Sequence, residues 1–510
     1  MKHALCLAVS LTAQLALGPL ALGAQEAQPS APAGEPAAGA KLELTLEQAI
    51  QIALGNDLGL QLQELSAEGS RYDAAGSWGA FDPVLTATGS VFDAEFEATS
   101  PFSGTAVIEE NTLSFGTGVK MPLTTGGTFG ATFDLNNTES NNSLAQGIDL
   151  ATTDVFSLEF RQPLLNGFGS DYATSLQSQA DLEYRGQLEQ CRKVRQDLIA
   201  SVTVAYWDLV SALNQLEVAQ ESLDLAKTQQ DQNERRLEAG VGTQVEVLQA
   251  EANVAQRQEL KLLRQTEVKA AGDRLKAILY PGTDPQTWEA EILPSTALPE
   301  PPPAALELIP RWGSAWVEAQ EKRSELRQQR LQIEWAEIQL TRAVSERRPS
   351  LDLLLASRSR GFDGESSQAF DKALGWDYPQ NTAALIFSFP LGNRSGRNAY
   401  ERARADLRAA RLVYDQIESQ IIADVRTALR QVEYSVQAVA AADTSHRLAD
   451  KQLRAEEARY REGLSTNFQV LEYQQQLAQA AYSRNLARAN LAKSLVNLQK
   501  SRGILGEPTP

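Results

Sequence analysis

Residues 398–462 read NAYERARADLRAARLVYDQIESQIIADVRTALRQVEYSVQAVAAADTSHRLADKQLRAEEARYRE and contain neither glycine nor proline. As one α-helix this run would be about 100 Å long, whereas the average helix of a globular protein has about 11–12 residues. A second such run covers 187–239, and it grows to 170–239 if the helix continues through Gly186. Apolar residues in it recur at alternating spacings of four and three, as in a coiled coil: Val202, Tyr206, Leu209, Leu213 and Leu216. The sequence therefore predicts very long coiled-coil helices.

Each long run ends at a glycine, Gly240 or Gly463, that suits a left-handed helix C-cap. Three residues later Thr243 and Thr466 each begin a shorter predicted helix, because threonine is a favoured N-cap. Each long helix and its successor are therefore predicted to form a helical hairpin with a glycine at its tip.

The order of elements occurs twice along the chain. FRQPL at 160–164 lies opposite FSFPL at 387–391, and GVGTQVEVL at 240–248 lies opposite GLSTNFQVL at 463–471. We expect each repeat to run from a helix (45–78 or 306–347) through strands to a long helix and then a shorter one. The predicted boundaries are a first repeat at 42–281, a linker at 282–304, a second repeat at 305–505 and a tail at 506–510.

The first residues have the pattern of a secretory signal. Lys2 and His3 precede a mostly apolar stretch, and 22–24 (LGA) supplies a small residue for cleavage. This predicts a signal peptide at 1–24, followed by a flexible Pro/Ala-rich lead-in at 25–41. An N-terminal membrane anchor is disfavoured because Gln14, Gly18 and Pro19 interrupt the run. No later stretch is apolar for long enough to form a transmembrane helix.

Two regions read as strands, 84–163 and 351–391. Apolar residues alternate with polar ones over 113–121, 129–135 and 156–160. Such segments fit the wall of a transmembrane barrel and equally a half-buried sheet in a soluble sandwich. The first region is bounded by Pro83 and Pro163 and the second by Pro349 and Pro390, so the first is 39 residues longer. It also contains a hairpin signal, TTGG at 124–127. Whether the extra strands widen a barrel or cap it stays open at this point.

Composition excludes several classes of function. The formal net charge of −18 argues against a protein that neutralises nucleic-acid phosphates. The chain has only two Cys and two His, so zinc sites and thiol–imidazole catalysis are disfavoured. The acidic residues recur at the spacing of an exposed helix face, and no paired-carboxylate motif of an active site stands out among them. Cys191 is expected to be a packed small side chain and His446 a surface helix residue, and we expect no enzyme activity.

Taken together, these features resemble the TolC-type outer-membrane efflux channel family over about residues 42–505. The markers are LTLEQAIQIAL at 44–54 with Asn56, the strand-to-helix turns at Pro163 and Pro390, and the two tip segments. The resemblance implies a mixed α and β fold in the outer membrane and periplasm. Long coiled-coil helical hairpins would form an α-barrel, and amphipathic strands would contribute to a trimeric outer-membrane β-barrel.

The function implied by the resemblance is that of an exit duct without chemistry or cofactors of its own. It would conduct small molecules or polypeptides for a tripartite efflux or type I secretion system. The implied partners are two further copies in a homotrimer, a periplasmic adaptor protein, an inner-membrane pump of the RND, ABC or a similar type, and outer-membrane lipid.

The family also implies a gate at the periplasmic tips, built from acidic residues and polar links. Its positions correspond to Glu246, Gln469, Glu472 and Tyr460 of this sequence, so one acid is an amide here. The family has a basic link residue two positions after the second tip glycine, and this sequence departs from that pattern with Ser465. Glu246 and Glu472 are equally well read as ordinary solvated helix acids.

The main alternative is a periplasmic coiled-coil adaptor or scaffold of an envelope transport complex. Such proteins also have helical hairpins, but the duplicated amphipathic strands argue against this interpretation. The transported cargo and the identity of the pump are not specified by the sequence.

Overall fold

The computed structural model describes residues 41–99, 106–141, 150–282, 285–299 and 309–506. The predicted signal peptide, nearly all of the lead-in and most of the tail lie outside the described residues, as does part of the linker. The strands are β1 Lys41–Leu44, β2 Val84–Glu97, β3 Val107–Pro122, β4 Thr128–Ser140, β5 Leu150–Pro163, β6 Glu291–Pro294, β7 Ser350–Asp363 and β8 Pro379–Ser388. The α-helices are α1 Leu46–Asn56, α2 Leu58–Ser77, α3 Ser170–Ala173, α4 Ser175–Glu238, α5 Gln244–Leu279, α6 Pro285–Glu289, α7 Trp312–Lys322, α8 Ser324–Glu346, α9 Ser366–Leu374, α10 Arg394–Arg461 and α11 Asn467–Ser501.

The long helices are present as predicted. α4 has 64 residues and α10 has 68, so each is about 100 Å long. α4 packs against α5 and α10 against α11, and α11 also contacts α4. α2 and α8 also pack along α4. They supplement α5 and α11, which are too short to cover the whole length of the long helices. The core of the first half contains the predicted coiled-coil residues Val202, Tyr206 and Leu209, all almost fully buried.

Two predicted helices are broken where continuous ones were expected. The segment 45–78 is split at Asp57 (ψ 117°), whose carboxylate accepts the Leu60 N–H at 2.7 Å and so caps α2. The segment 306–347 is split at Arg323 (ψ 122°). The predicted start at residue 306 lies outside the described residues, and the first described helix of the segment begins at Trp312. Thr45 and Gln48 form a capping box at the start of α1, with both hydrogen bonds present.

Six strands form one antiparallel sheet in the order β2-β3-β4-β5-β7-β8, and β1 pairs with β6 in a separate parallel pair. The hairpin predicted at 124–127 joins β3 to β4, and Gly126 there has φ +87°. The extra strands β3 and β4 lie inside the sheet and are not a cap. The last strand, β8, ends at Ser388, before the end of the predicted strand region at residue 391.

The sheet has two chemically different faces, which its register defines. On one side, a transverse row of paired residues carries Leu85, Val119, Ala131 and Leu158 and continues on the last two strands as Ser357 and Asn381. The row two residues along on the same side carries Met121, Phe129, Phe160, Leu355 and Ala383, and we call this side the apolar face. A row adjacent to the first carries the hydrophilic or small residues Thr86, Gly118, Thr132, Ser157, Arg358 and Gln380, on the polar face. The alternation predicted from sequence is therefore confirmed in three-dimensional register.

Helix α9, which the sequence did not predict, packs on the apolar face at the end remote from the long helices. Phe370 meets Phe133 edge-on at 5.2 Å, and Trp376 meets Phe156 at 5.3 Å. A side chain at Gly361 would collide with the backbone of Ala369, so the close approach of α9 requires glycine there. Among the described residues, we find no helix with the length and hydrophobicity needed to cross a membrane.

Candidate functional site at the hairpin tips

Both hairpin tips are built by the same local chemistry. Gly240 and Gly463 each have φ +74°, the left-handed conformation predicted for a C-cap. The N–H of Gly240 donates to Leu237 O at 2.9 Å, and the N–H of Gly463 donates to Tyr460 O at 3.0 Å. These bonds satisfy helix-end carbonyls and turn the chain back.

The returning helices start at the predicted threonines. Thr243 forms a full capping box with Glu246, whose carboxylate accepts the Thr243 N–H at 2.8 Å. Thr466 accepts the Gln469 N–H at 3.4 Å, without a reciprocal bond from the Gln469 side chain. Glu246 therefore caps the first turn of α5, a structural role that the predicted gate did not include.

The predicted gate residues fall into two groups. Glu472 is exposed and accepts a bond from Gln476 at 3.3 Å, while Gln469 is exposed and lies 2.8 Å from the Ser465 hydroxyl. Tyr460, in contrast, is buried, and its hydroxyl donates to Asn233 Oδ1 at 3.0 Å. The structure thus brings Tyr460 into the interior between the hairpins and leaves Glu472 and Gln469 at the surface.

The interior contact at the tips is a cluster of four neutral polar residues, Gln229, Asn233, Tyr460 and Asn467, which we call the bridge cluster. Asn467 Oδ1 accepts from Gln229 Nε2 and from Asn233 Nδ2, both at 3.0 Å. Asn233 Oδ1 accepts from Tyr460 and from Gln229, the latter at 3.1 Å. Asn233 and Asn467 are each only 1% exposed, so their polar atoms depend on one another for hydrogen bonds.

The bridge cluster joins the two hairpins of one chain. Gln229 and Asn233 belong to α4, Tyr460 to α10 and Asn467 to α11. The backbone oxygen of Glu246 on α5 also accepts from Asn233 Nδ2 at 3.3 Å. All four helices of the tips therefore meet in a single hydrogen-bonded group.

The ring of Tyr460 has a cationic neighbour. The Arg236 guanidinium lies over the ring at 4.9 Å from its centroid. Burial raises the pKa of the Tyr460 phenol above its ordinary value; Arg236 acts in the opposite direction and Glu246 adds to the rise. The hydroxyl therefore stays protonated at neutral pH and remains a donor to Asn233.

A buried carboxylate, Glu456, lies beside the second tip and was not predicted. It is 5% exposed, and it contacts the Ser465 hydroxyl and Arg459 Nη1, the latter at 3.3 Å. Ser465, which stands where the resemblance predicts a basic residue, therefore makes a polar link within its own tip.

The outer end of each tip is apolar. Val241 and Leu464 directly follow the two glycines and are 67% and 71% exposed. Val245 and Phe468, four residues further along, are exposed as well. These four side chains form what we call the tip surface.

The remaining candidates lie outside the tips. Pro163 ends β5 opposite Asp352, and Pro390 follows β8, where its carbonyl accepts the Asn393 N–H at 3.1 Å. Half-buried Cys191 donates to the Gln63 carbonyl at 3.3 Å, and His446 lies 3.4 Å from Arg484. Within the described part of the chain, no three His, Cys, Asp or Glu side chains cluster as metal ligands would.

Comparison with known proteins shows which proteins this chain is similar to. The family model described as outer membrane efflux protein matches residues 132–279 and 316–504. The outer membrane protein TolC of Escherichia coli (strain K12) is 24% identical over 327 residues, which cover 61% of this chain and 62% of that protein. The match therefore spans less than two thirds of the length of that relative.

Solved structures share the fold over nearly the whole chain. The outer membrane protein VceC of Vibrio cholerae has a TM-score of 0.62 at 16% identity, over 90% of this chain and 96% of its own. The open state of the MtrE outer membrane channel of Neisseria gonorrhoeae has a TM-score of 0.61 at 17% identity, over 94% and 97%. At these identities the similarity concerns the fold, which combines long helical hairpins with an amphipathic sheet.

Proposed function

The chain belongs to the outer membrane efflux protein family, and from that premise we propose that it is the outer-membrane exit channel of a tripartite efflux or type I secretion system. It conducts small molecules or polypeptides, delivered by an inner-membrane pump, across the periplasm and the outer membrane. Like the other members of its family, it is an outer membrane protein.

One observation carries the proposal: the same chain joins a sheet with a lipid-type apolar face to rods about 100 Å long. β5 leads through Pro163 towards α4, and β8 leads through Pro390 into α10. A sheet with one apolar and one polar face suits a wall between lipid and water. Helices of this length suit a tunnel that extends from the wall through the periplasm.

The assembly in this proposal is a homotrimer. Six strands form an open sheet, so one chain supplies part of a barrel wall, and several copies are needed to enclose a pore of useful width. The hairpins of three copies would line an α-barrel beneath it, with one bridge cluster per copy at the periplasmic end.

The tip surface supports the proposed docking of a periplasmic adaptor. Val241, Val245, Leu464 and Phe468 stand exposed at the end of the helices that points away from the membrane sheet. Apolar side chains exposed together commonly mark contact sites. Through the adaptor, the channel would meet a pump of the RND, ABC or a similar type.

In the proposed gate, Glu246 and Glu472 select ions and the bridge cluster holds the tips together. Three symmetry copies of an acid near a narrow opening favour cations over anions. Glu472 is free to act in this way because it is exposed, whereas Glu246 must also keep its cap on α5.

The proposal is tested by the location, assembly and conductance of the purified protein. We expect it in outer-membrane fractions, as a heat-modifiable trimer that forms ion-conducting pores in planar bilayers. Recovery in the inner membrane or periplasm, without pores, would instead support the alternative of an adaptor or scaffold. A protein that is monomeric with an intact barrel would exclude the trimer.

A further inference from the structure

The strands β3 and β4 form a continuous part of the sheet. β2 pairs with β3 from Val84↔Lys120 to Glu97↔Val107, and β4 pairs with β5 from Thr128↔Arg161 to Glu139↔Leu150. β2 therefore reaches β5 only through this hairpin. The second half of the chain supplies two strands, β7 and β8, and without the hairpin the first half would also supply two.

In the described part of the chain, both edges of the sheet are open, and each has a long stretch without charge or proline. On β2 this stretch is 84–92, and the acidic residues of β2 follow it at the end remote from the helices; on β8 it is 380–388, after the proline at the first position. Soluble proteins usually blunt such edges with charges, proline or short strands, because an unpaired edge recruits other strands. Leu85 on β2 and Leu385 on β8 are exposed on the apolar face at these two edges.

The two edges are complementary in direction. β2 begins at the end of the sheet near the helices and runs away from them, while β8 runs back towards α10. Placed side by side, β8 of one copy and β2 of the next are antiparallel and keep the apolar face on the same side. A head-to-tail contact of this kind closes into a ring.

We infer that the membrane barrel of this channel has 18 strands, six from each of three copies, with β8 of each copy paired to β2 of its neighbour. The inference rests on the proposed trimer and adds the number of strands, the junction and the role of β3 and β4 as wall strands. With strands about 4.8 Å apart and tilted by about 40°, 18 strands enclose a diameter of about 36 Å. Twelve strands would enclose about 24 Å, so the hairpin widens the outer exit by half.

The lumen of this barrel would be balanced in charge. On the polar face the strands carry four basic and four acidic side chains, Lys120, Arg161, Arg358 and Arg360 with Glu110, Asp134, Glu159 and Asp352. A wide and electrically balanced exit selects weakly by charge. Selection is therefore left to the tips, and the exit suits bulky cargo.

The β8–β2 junction can be tested by cysteine cross-linking in a Cys191→Ser background. Leu85→Cys is combined in turn with Ala383→Cys, Leu385→Cys and Phe387→Cys, all on the apolar face. Oxidation of outer membranes should give covalent trimers for at least one pair. The matched control, Leu85→Cys with Ala384→Cys, places the two thiols on opposite faces and should give none. If every pair fails while the native trimer is intact, the junction is wrong.

The strand number can be tested by cryo-electron microscopy of the trimer in lipid nanodiscs, where we expect 18 strands. A trimer with 12 strands and the hairpin outside the wall would overturn the inference but leave the proposed channel standing. Failure to find any trimeric pore would overturn the proposed function as well.

Deletion of residues 105–140 provides a second test. Leu85, Val119, Ala131 and Leu158 lie in one row, so β2 can take the place of β4 beside β5 with its apolar face on the same side. The deleted trimer should keep its helical tunnel and have a barrel of about two-thirds the diameter. An unchanged barrel diameter would contradict the inference, and the cross-linking result stands if the deleted protein does not fold.

Discussion

Replacing Asn467 with alanine should loosen the two hairpin tips from each other. The side chain accepts two hydrogen bonds at 3.0 Å, from Gln229 and Asn233 on α4. Each is worth about 1 kcal/mol net, so about 2 kcal/mol of the contact between the hairpins is lost in each copy. The donors keep secondary acceptors, Glu246 O at 3.3 Å for Asn233 and Asn233 Oδ1 at 3.1 Å for Gln229. The free energy lost from the contact between the hairpins therefore stays at about 2 kcal/mol in each copy.

A loss of about 2 kcal/mol shifts the equilibrium between joined and separated tips about 30-fold in each copy. The shift should be measurable as faster hydrogen exchange at the end of α4 and the start of α11. In single-channel recordings it should raise the resting conductance, because the tips form the proposed gate.

Asn485→Ala is the matched control. Asn485 is also a buried asparagine of α11, and its Nδ2 donates to the Asn214 carbonyl on α4 at 3.4 Å. It lies 18 residues from Asn467, or about 27 Å along the helix. We expect this variant to leave the tips and the resting conductance as in the wild type. If Asn467→Ala has no more effect on exchange and conductance than Asn485→Ala, the bridge cluster does not hold the tips.

The other predictions concern single residues of the tips. Tyr460→Phe removes one donor while the ring packing remains, so the resting conductance should rise, but less than in Asn467→Ala because only about 1 kcal/mol is lost. Glu472→Gln should weaken divalent-cation block and cation preference with trimer stability little changed; unaltered selectivity and block in the double variant with Glu246→Gln would place both acids outside the pore. Gly463→Ala should lower the thermal stability of the hairpin by about 1 kcal/mol, since φ +74° strains any side chain there although the surrounding space is open. Gly69→Ala in the helix α2, where φ is ordinary, should be neutral or stabilising, and equal effects of the two glycine replacements would refute the strain argument.

The elements with local signals could be predicted from the sequence. Gly240 and Gly463 end their helices as predicted because a positive φ is a property of one residue and its neighbours. The capping box at Thr45 is equally local, since it needs only a partner three residues away. The strands were predictable because each face of a strand repeats every second residue.

The breaks at Asp57 and Arg323 were missed because neither position holds proline or glycine. Helix α9 was missed because nine residues are too few for a clear helical period, and the helix depends on contacts such as Phe370 with Phe133. The position of β3 and β4 could not be decided either, since alternation fixes the faces of a strand but not its neighbours.

Of the candidate site, the sequence predicted the tips and Tyr460 but not the partners of Tyr460. Asn233 lies 227 residues away from it in sequence, and Asn467 lies 234 residues from Asn233. The sequence does show polar residues such as Gln229 and Asn233 on a helix that is expected to pack as a coiled coil, and this indicates a buried polar contact. It does not indicate which residues of the other helices make that contact.

At the tips, one group of residues holds the two hairpins together and a different group carries the charge that would act on ions. Gln469 and Ser465 stand where the family resemblance predicts an acid and a base, and the bridge cluster consists of neutral side chains. Hydrogen bonds between neutral groups are not screened by salt, unlike exposed ion pairs. The force that holds the tips together therefore depends little on ionic strength. The charge near the proposed opening can then act on passing ions, through exposed Glu472 and through Glu246, which also caps α5.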